Sequence, residues 1–304
     1  MDVRVAWDGA VTTDTETDAF EAHRPVLLGV AYRMLGRVAD AEDIVQEAWL
    51  RWSGADRGEV REPRAYLVRI TTRLAIDRLR QVKARNEAYV GPWLPEPYVT
   101  EFGDTVPDTA ERTVLADSVS LAVLVVLESL SPLERAVFVL REAFGYPYAD
   151  IAVMLDRGEP AVRQLATRAR KHVDERRPRY EVDPGRRRDL TERFLAAAAE
   201  GDLEGLLALL APDVRLTADS GGKSRAPLRV LDTADKVGRF LIGAAQKGVP
   251  DPTFRFIELN GGPAIVALSA GKPDSVFQLD IYEGRIQAVY IMRNPDKLVS
   301  LAVE

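Results

Sequence analysis

The sequence predicts a multidomain chain, two all-α modules followed by one α+β module, and three observations carry that reading. From Asp18 to about Tyr89, and again from about Glu111 to Val173, apolar residues recur at helical spacing without strand-like alternation. Between these stretches lies Gly91-Pro92-Trp93-Leu94-Pro95-Glu96-Pro97, running on through Gly103 and Pro107, a linker by composition. Beyond Asp183-Pro184-Gly185 the pattern changes to two helices and then short apolar runs divided by turn residues. The expected boundaries are a disordered leader over 1–17, a first helical module over 18–90, a linker over 91–110, a second helical module over 111–180, a short linker over 181–188 and the α+β module over 189–304.

Within the third module, Leu190 to Glu200 reads as a helix ended by Gly201, and Asp202 is placed to cap a second helix from Leu203 to Leu210. A strand near Val214 to Thr217 and a helix near Ala234 to Ala245 come next. Strand candidates at Thr253–Leu259, Ala264–Ala270, Val276–Tyr282 and Arg285–Met292 follow, with Asn260-Gly261-Gly262 and Glu283-Gly284 as turns. Helices followed by an antiparallel meander make an α+β unit.

Composition removes several function classes. No run of eighteen apolar residues exists, so no membrane span is expected. The acidic, Thr-rich start from Met1 to Thr17 lacks the basic and apolar parts of a signal peptide. Cysteine is absent, which excludes disulfides and fits a reducing cytosol, and with only His23 and His172 no metal site and no cofactor are expected. The net charge of -6 argues against nucleic acid until its distribution is considered. Arg61, Arg64, Arg69, Arg73, Arg78, Arg80, Lys83 and Arg85 crowd one segment, and Arg163, Arg168, Arg170, Lys171, Arg176, Arg177 and Arg179 crowd another. Two separate cationic footprints on an acidic chain suggest two DNA contacts.

Three constellations give these footprints a context. In the helix around Asp40-Ala41-Glu42-Asp43-Ile44-Val45-Gln46-Glu47-Ala48-Trp49, Asp40 is a candidate cap, and Val45, Ala48, Trp49 and Trp52 fall on one face as core. Glu42, Asp43, Gln46 and Glu47 are left on an exposed acidic face, which by itself is equally a solvated helix surface. The helix from Pro63 to Lys83 has Tyr66, Ile70, Leu74 and Leu79 as its buried stripe, with arginines elsewhere, suited to phosphates and unstacked bases. Ala149, Ile151, Ala152 and Leu155 then form a short helix, Asp156-Arg157-Gly158 a turn, and Glu159 to Val173 a second helix. In that second helix Val162, Leu165, Ala166, Ala169 and Val173 face inward, and Arg163, Gln164, Thr167, Arg168, Arg170 and Lys171 face outward. This is a helix-turn-helix: Arg and Gln early in such a helix reach base edges and later basic residues suit phosphates.

Taken in order, the acidic "DAEDIVQEAW" helix, the basic "EPRAYLVRITTRLAIDRLR" helix, the linker and the helix-turn-helix resemble regions 2 and 4 of bacterial extracytoplasmic-function sigma factors. "SPLERAVFVLREAFGYPYADIA" and "VRQLATRARKHV" are similar to region 4 of that family, and the likeness covers residues 18 to 175. It implies that Asp43, Gln46 and Glu47 face the clamp helices of the polymerase β′ subunit. Arg64, Arg69, Arg73, Arg78 and Arg80 would then serve the −10 element, and Arg163, Gln164, Thr167, Arg168 and Lys171 the −35 element. The family usually has Gly and then a hydroxyl cap at the turn; here Asp156 tolerates left-handed dihedrals, Gly158 can cap, and Pro160 falls in the first helical turn.

"WLPEP" (Trp93 to Pro97), "DSGGK" (Asp219 to Lys223) and "NPDKL" (Asn294 to Leu298) resemble the sigma factors with a fused SnoaL-like domain, the sigma J type. That group implies a cone-shaped α+β barrel that regulates the sigma part without a separate anti-sigma protein. Its interdomain residues here are Trp93, Leu94, Glu96, Asp219, Gly221, Gly222, Lys223, Asn294 and Asp296. Ser220 stands where the group commonly has Gly, which bears on the freedom of that loop. The expected latch sets Lys223 near Glu96 and anchors Trp93 in an apolar recess. Asp219, Asp280, Tyr282 and Tyr290 are of a type that acid–base catalysis uses, but no spacing singles out a pair, so the chain is expected not to be an enzyme. The competing reading is a one-component DNA-binding regulator whose barrel binds a small molecule.

Overall fold

A computed structural model describes residues 17–55, 60–86, 89–101, 120–175, 184–248 and 252–301. The expected leader up to residue 16, the later part of the linker and the stretch from 111 to 119 lie outside these residues. The described chain forms two compact units, one holding 17–82 and 131–170, the other 83–101, 120–130 and 171–301. Among the described residues no helix is long and apolar enough to cross a membrane.

The first unit is helical. Helices α1 (Arg24–Leu35), α2 (Val38–Ser53) and α3 (Pro63–Asn86) supply the first module. α1 ends at Gly36, whose left-handed φ of 68° lets its N–H reach the Tyr32 carbonyl. On α2 the apolar stripe is as expected: Val45, Ala48 and Trp52 are buried and Trp49, half-buried, meets the Phe20 ring edge-on at 5.0 Å. Asp40 does not cap this helix. Arg37 occupies the cap position, and Asp40 sits in the first turn, where its carboxylate accepts from Arg78 of α3 at 2.7 Å and pairs with Arg37 at 3.7 Å.

Helix α4 (Leu121–Leu127) belongs to the second unit. Helices α5 (Pro132–Phe138), α6 (Tyr148–Leu155) and α7 (Glu159–Asp174) follow it. Ser131 and Glu134 start α5 with a reciprocal capping box, and a π-helical turn over Val139–Ala143 continues it. The α6–α7 turn forms as expected: Asp156 adopts φ 54°, ψ 56°, and the Gly158 carbonyl accepts the first α7 bond from Val162. Buried polar bonds tie these helices to the first three. Arg135, almost wholly buried, donates Nε to the Arg33 carbonyl at 2.9 Å, the Arg33 guanidinium lies 5.0 Å over the Phe144 ring, and Arg73 donates Nε to the Met154 carbonyl at 2.9 Å.

The second unit is built on a mixed seven-stranded sheet in the order β1-β4-β5-β6-β7-β2-β3. Its elements are β1 (Val99–Glu101), α4, α8 (Pro184–Glu200), α9 (Leu203–Leu209), β2 (Leu210–Asp219), β3 (Leu231–Asp232), α10 (Ala234–Gln246), β4 (Thr253–Leu259), β5 (Gly262–Ser269), β6 (Lys272–Tyr282) and β7 (Arg285–Met292). Asp202 caps α9 through the Gly205 N–H, as read from sequence. β4 to β7 form the expected antiparallel meander, but β2 lies parallel to β7 and β1, from the linker, pairs antiparallel with β4.

Two apolar layers hold the sheet. One packs Phe194 and Leu190 of α8, Leu206 of α9 and Val237 and Leu241 of α10 against Leu216, Leu279, Ile281 and Val289. The other covers the opposite face with the chain's own upstream segments: Leu94, Leu121 and Ala122 pack on Leu259, Val266, Val276, Tyr290 and Met292. The proline-rich stretch is therefore not a solvated linker. Leu94 is completely buried, and Pro95, Glu96 and Pro97 are buried beside it.

Candidate functional site

The acidic face of α2 is as open as its spacing implies. Glu42, Asp43, Gln46 and Glu47 are all exposed because their neighbours Ile44, Val45 and Ala48 take the inward positions. Glu47 holds Arg51 at 2.7 Å, an exposed pair worth little that water or another protein can replace. Leu50 lies one turn on from Gln46 and Glu47 and is 65% exposed, an apolar side chain on an otherwise charged face. The sequence reading passed over it, although the i, i+3 and i, i+4 relations to Glu47 and Gln46 place it there.

The α3 arginines divide into two groups. Arg64 and Arg80 are exposed and Arg69 is half-buried with its guanidinium 5.5 Å over the Tyr66 ring. Arg80 pairs with Asp77 at 3.0 Å. Arg73, also exposed, donates to the Met154 carbonyl, and the less exposed Arg78 to Asp40, with Asp43 at 3.5 Å. The Asp40 hydrogen bond raises the Arg78 pKa above its ordinary value.

On α7 the inward row is Val162, Ala166, Ala169 and Val173, all buried, with Leu165 partly so. Arg163, Gln164, Thr167, Arg168 and Lys171 form the outward row. Arg163 rests on the Tyr148 ring at 4.7 Å and pairs with Glu159 at 2.5 Å, and the Thr167 hydroxyl donates back to the Arg163 carbonyl. Arg168 lies 3.4 Å from Glu134, Arg170 2.7 Å from Glu142 and Lys171 3.9 Å from Glu175. These exposed contacts steer the side chains at little energetic cost, so phosphates can displace the carboxylates.

The motif residues of the second unit meet at Asp219, at the end of β2. Its fully buried carboxylate accepts from the Tyr89 hydroxyl at 2.5 Å, the Leu94 N–H at 2.8 Å, the Gly221 N–H at 3.1 Å and the Lys297 ammonium at 2.7 Å. Lys297, also buried, donates to the Leu94 carbonyl at 2.5 Å and lies 4.0 Å over the Trp93 ring. Asn294 donates to the Tyr89 hydroxyl at 2.8 Å. Gly221 and Gly222 take left-handed φ of 56° and 73°, and a Cβ on Gly221 would stand 2.6 Å from Asn294 Nδ2. Ser220, in place of the usual glycine, is not among the residues at positive φ; it is buried and its hydroxyl accepts from the Gly222 N–H.

The predicted latch is corrected in two respects. Lys223 pairs with Asp296 on the surface and not with Glu96, which is buried elsewhere in the linker. The side chain sunk in the apolar recess is Leu94; Trp93 stays half-exposed beneath Lys297. Lys297 and Tyr89, the two groups that close the network, were not singled out from sequence. "NPDKL" contained the lysine, but nothing in a linear motif tells which of two lysines is buried. Of the residues weighed for catalysis, Asp219 is committed to this network, and Asp280 and Tyr290 line a separate small cavity. Burial raises the Asp280 carboxyl to about 7 against an opposing pull from Arg187.

Comparison with known proteins gives the family. Residues 19–85 match Sigma-70 region 2 and residues 120–173 match Sigma-70, region 4. The chain is 40% identical over 294 residues to the ECF RNA polymerase sigma factor SigJ of Mycobacterium tuberculosis (strain ATCC 25618 / H37Rv), covering 93% of each protein. The chain belongs to the ECF sigma factors. It is 34% identical to the probable ECF RNA polymerase sigma factor SigI of M. tuberculosis (strain CDC 1551 / Oshkosh), over 96% of this sigma factor and 97% of that one. The crystal structure of M. tuberculosis SigJ superposes with a TM-score of 0.75 at 37% identity, covering 94% of this sigma factor and 99% of that chain. The sigma factor thus carries region 2 on α1–α3 and region 4 on α4–α7, followed by the mixed-sheet domain. Its family activity is to direct RNA polymerase to promoters.

Proposed function

We propose that the sigma factor docks on core RNA polymerase, at the β′ clamp helices, through the exposed α2 face of Asp43, Gln46, Glu47 and Leu50. Arg64, Arg69 and Arg80 serve the −10 element. Arg73 and Arg78 support the geometry of the helices that carry these side chains. Arg163, Gln164, Thr167, Arg168 and Lys171 serve the −35 element, the first two at base edges and Lys171 at phosphate. The sheet domain carries out no catalysis; it regulates by gripping the region 2–region 4 linker at Asp219 and Leu94, which takes the place of a separate anti-sigma protein. The site of action is the cytoplasm, where the polymerase works.

The observation that carries this reading is an exposed acidic face with a bare leucine on the same chain as an outward Arg-Gln row on a helix-turn-helix. A one-component regulator would need the second surface and not the first. Glu47→Lys is expected to weaken core polymerase binding by about tenfold, roughly 1.4 kcal/mol, because it reverses an interfacial charge. Its helix content should stay unchanged, since Glu47 is exposed and its loss breaks only the Arg51 pair. Pull-down of core polymerase with circular dichroism on the same samples checks both. Unchanged capture would mean that docking does not run through this face.

On DNA, Arg163→Ala is expected to cost about 1–3 kcal/mol on the preferred −35 sequence and relax discrimination there. Lys171→Ala should weaken all sequences alike and lower the salt slope by about one. Binding of region 4 to a −35 library at several salt concentrations separates the two, and identical behaviour of the mutants would refute the division of roles.

A further inference from the structure

On β6 Gln278 and Asp280 stand two residues apart and point to the sheet face that carries Leu94 and Leu121, opposite the layer of Leu279 and Ile281. Both are more than nine-tenths buried. Gln278 donates Nε2 to the Leu259 carbonyl at 2.7 Å, but its Oε1 has no hydrogen-bond partner, and neither has Asp280 Oδ1. Buried polar atoms are nearly always satisfied, so two unsatisfied ones on one strand face need a reason. They share a small cavity with Ser120, Leu121, Arg187 and Tyr290.

The pair has a definite chemistry. Asp280, its carboxyl raised by burial to about 7 and so protonated in a good part of the molecules near neutral pH, offers an O–H donor, and Gln278 Oε1 is an acceptor. An acceptor beside a donor on the edge of a guest would satisfy both. In its ionised form Asp280 would repel an anion, and Arg187 would repel a cation, so an uncharged guest suits the cavity in both states of the carboxyl. With Leu121 in place the space is little more than water-sized, so a ring-sized guest needs that side chain to withdraw.

We propose that this cavity is a binding site for a small uncharged molecule of the lactam type, with a carbonyl beside an N–H, and that the guest takes the room Leu121 now fills. Leu121 opens α4, the first helix of the stretch matched to region 4. Occupancy therefore loosens α4 from the sheet and gives the sheet domain a chemical input to the −35-reading module. The binding itself goes beyond the docking and DNA-reading roles argued above and does not depend on them; only its effect on promoter reading rests on the −35 role.

The test uses the full-length sigma factor and 2-pyridone as the probe, with benzoate as an anionic control, read by calorimetry and by hydrogen exchange at Leu121–Leu127. Saturable binding of 2-pyridone with faster exchange in that helix is the expected result. Gln278→Leu and Asp280→Leu should each weaken it by about tenfold, the worth of one hydrogen bond. Should either apolar variant unfold, Asp280→Asn retains a donor and should bind within about threefold of the parent, while Leu121→Ala, with more room, should bind tighter. No saturable binding to either the parent or Leu121→Ala overturns the proposal. So does equal binding of benzoate, or affinity indifferent to both leucine variants. No polymerase is present in the assay, so failure leaves the sigma-factor reading standing.

Discussion

Asp219→Ala is expected to destabilise the sheet domain by about 3–5 kcal/mol, the cost typical of removing one partner from a buried ion pair. Asp219 is fully buried and accepts four hydrogen bonds, from Tyr89, Leu94, Gly221 and Lys297. Without it the Lys297 ammonium keeps the Leu94 carbonyl and the Trp93 ring but has lost its counter-charge. The reciprocal change, Lys297→Met, should cost less, because the carboxylate retains one O–H and two N–H donors from the linker and the glycine loop. Urea denaturation followed by tryptophan fluorescence measures both. A cost below about 1 kcal/mol for Asp219→Ala, within the range of a surface pair, would mean that the network does not hold the linker.

Leu94→Ala should come second, at about 2–5 kcal/mol, as for other leucines deleted from packed interiors. Leu94 has no exposed surface and packs among Leu121, Val276, Tyr290 and Met292. Trp93→Ala should cost less, about 0.5–2 kcal/mol, since the half-exposed ring mainly offers its face to Lys297. Promoter-dependent run-off transcription is expected to change in the same order, Leu94→Ala more than Trp93→Ala, while each isolated DNA-binding module keeps its affinity. A larger transcriptional effect from Trp93 than from Leu94 would show that the ring, not the aliphatic side chain, transmits the grip.

Much of this molecule can be read from periodicity. The buried row of α7, Val162, Ala166, Ala169 and Val173, follows from a 3.6-residue repeat, and the strands Thr253–Leu259 and Arg285–Met292 from apolar runs between turn residues. Asp156 in a left-handed turn was legible because few residues tolerate that conformation. Pairings across the fold were not. The same helix-face argument that marks Arg78 as outward cannot reveal Asp40 thirty-eight residues earlier, nor can it tell Arg73 from Arg69. The WLPEP motif suggested a contact with the barrel, but composition records the stiffness of a segment and not which of its side chains is taken up. Pro95 and Pro97 hold the chain extended, and an extended chain lays down on a sheet as readily as it crosses solvent. Lys223 and Lys297 are chemically alike, and only burial separates the surface pair from the closing cation.

The sequence distance across this grip has a consequence in time. Leu94 and Lys297 are 203 residues apart. At roughly 5–20 residues per second, a ribosome needs about 10–40 s to make the chain between them. During that interval both sigma modules have been synthesised, while the strands that α4 and the linker pack on, and the lysine that closes the network, do not yet exist. Each new molecule therefore passes through a period in which its linker is not yet gripped. A ribosome stalled within β6 or β7 would hold out a chain with its region 2 and region 4 sequences complete and the sheet that takes up Leu94 unfinished.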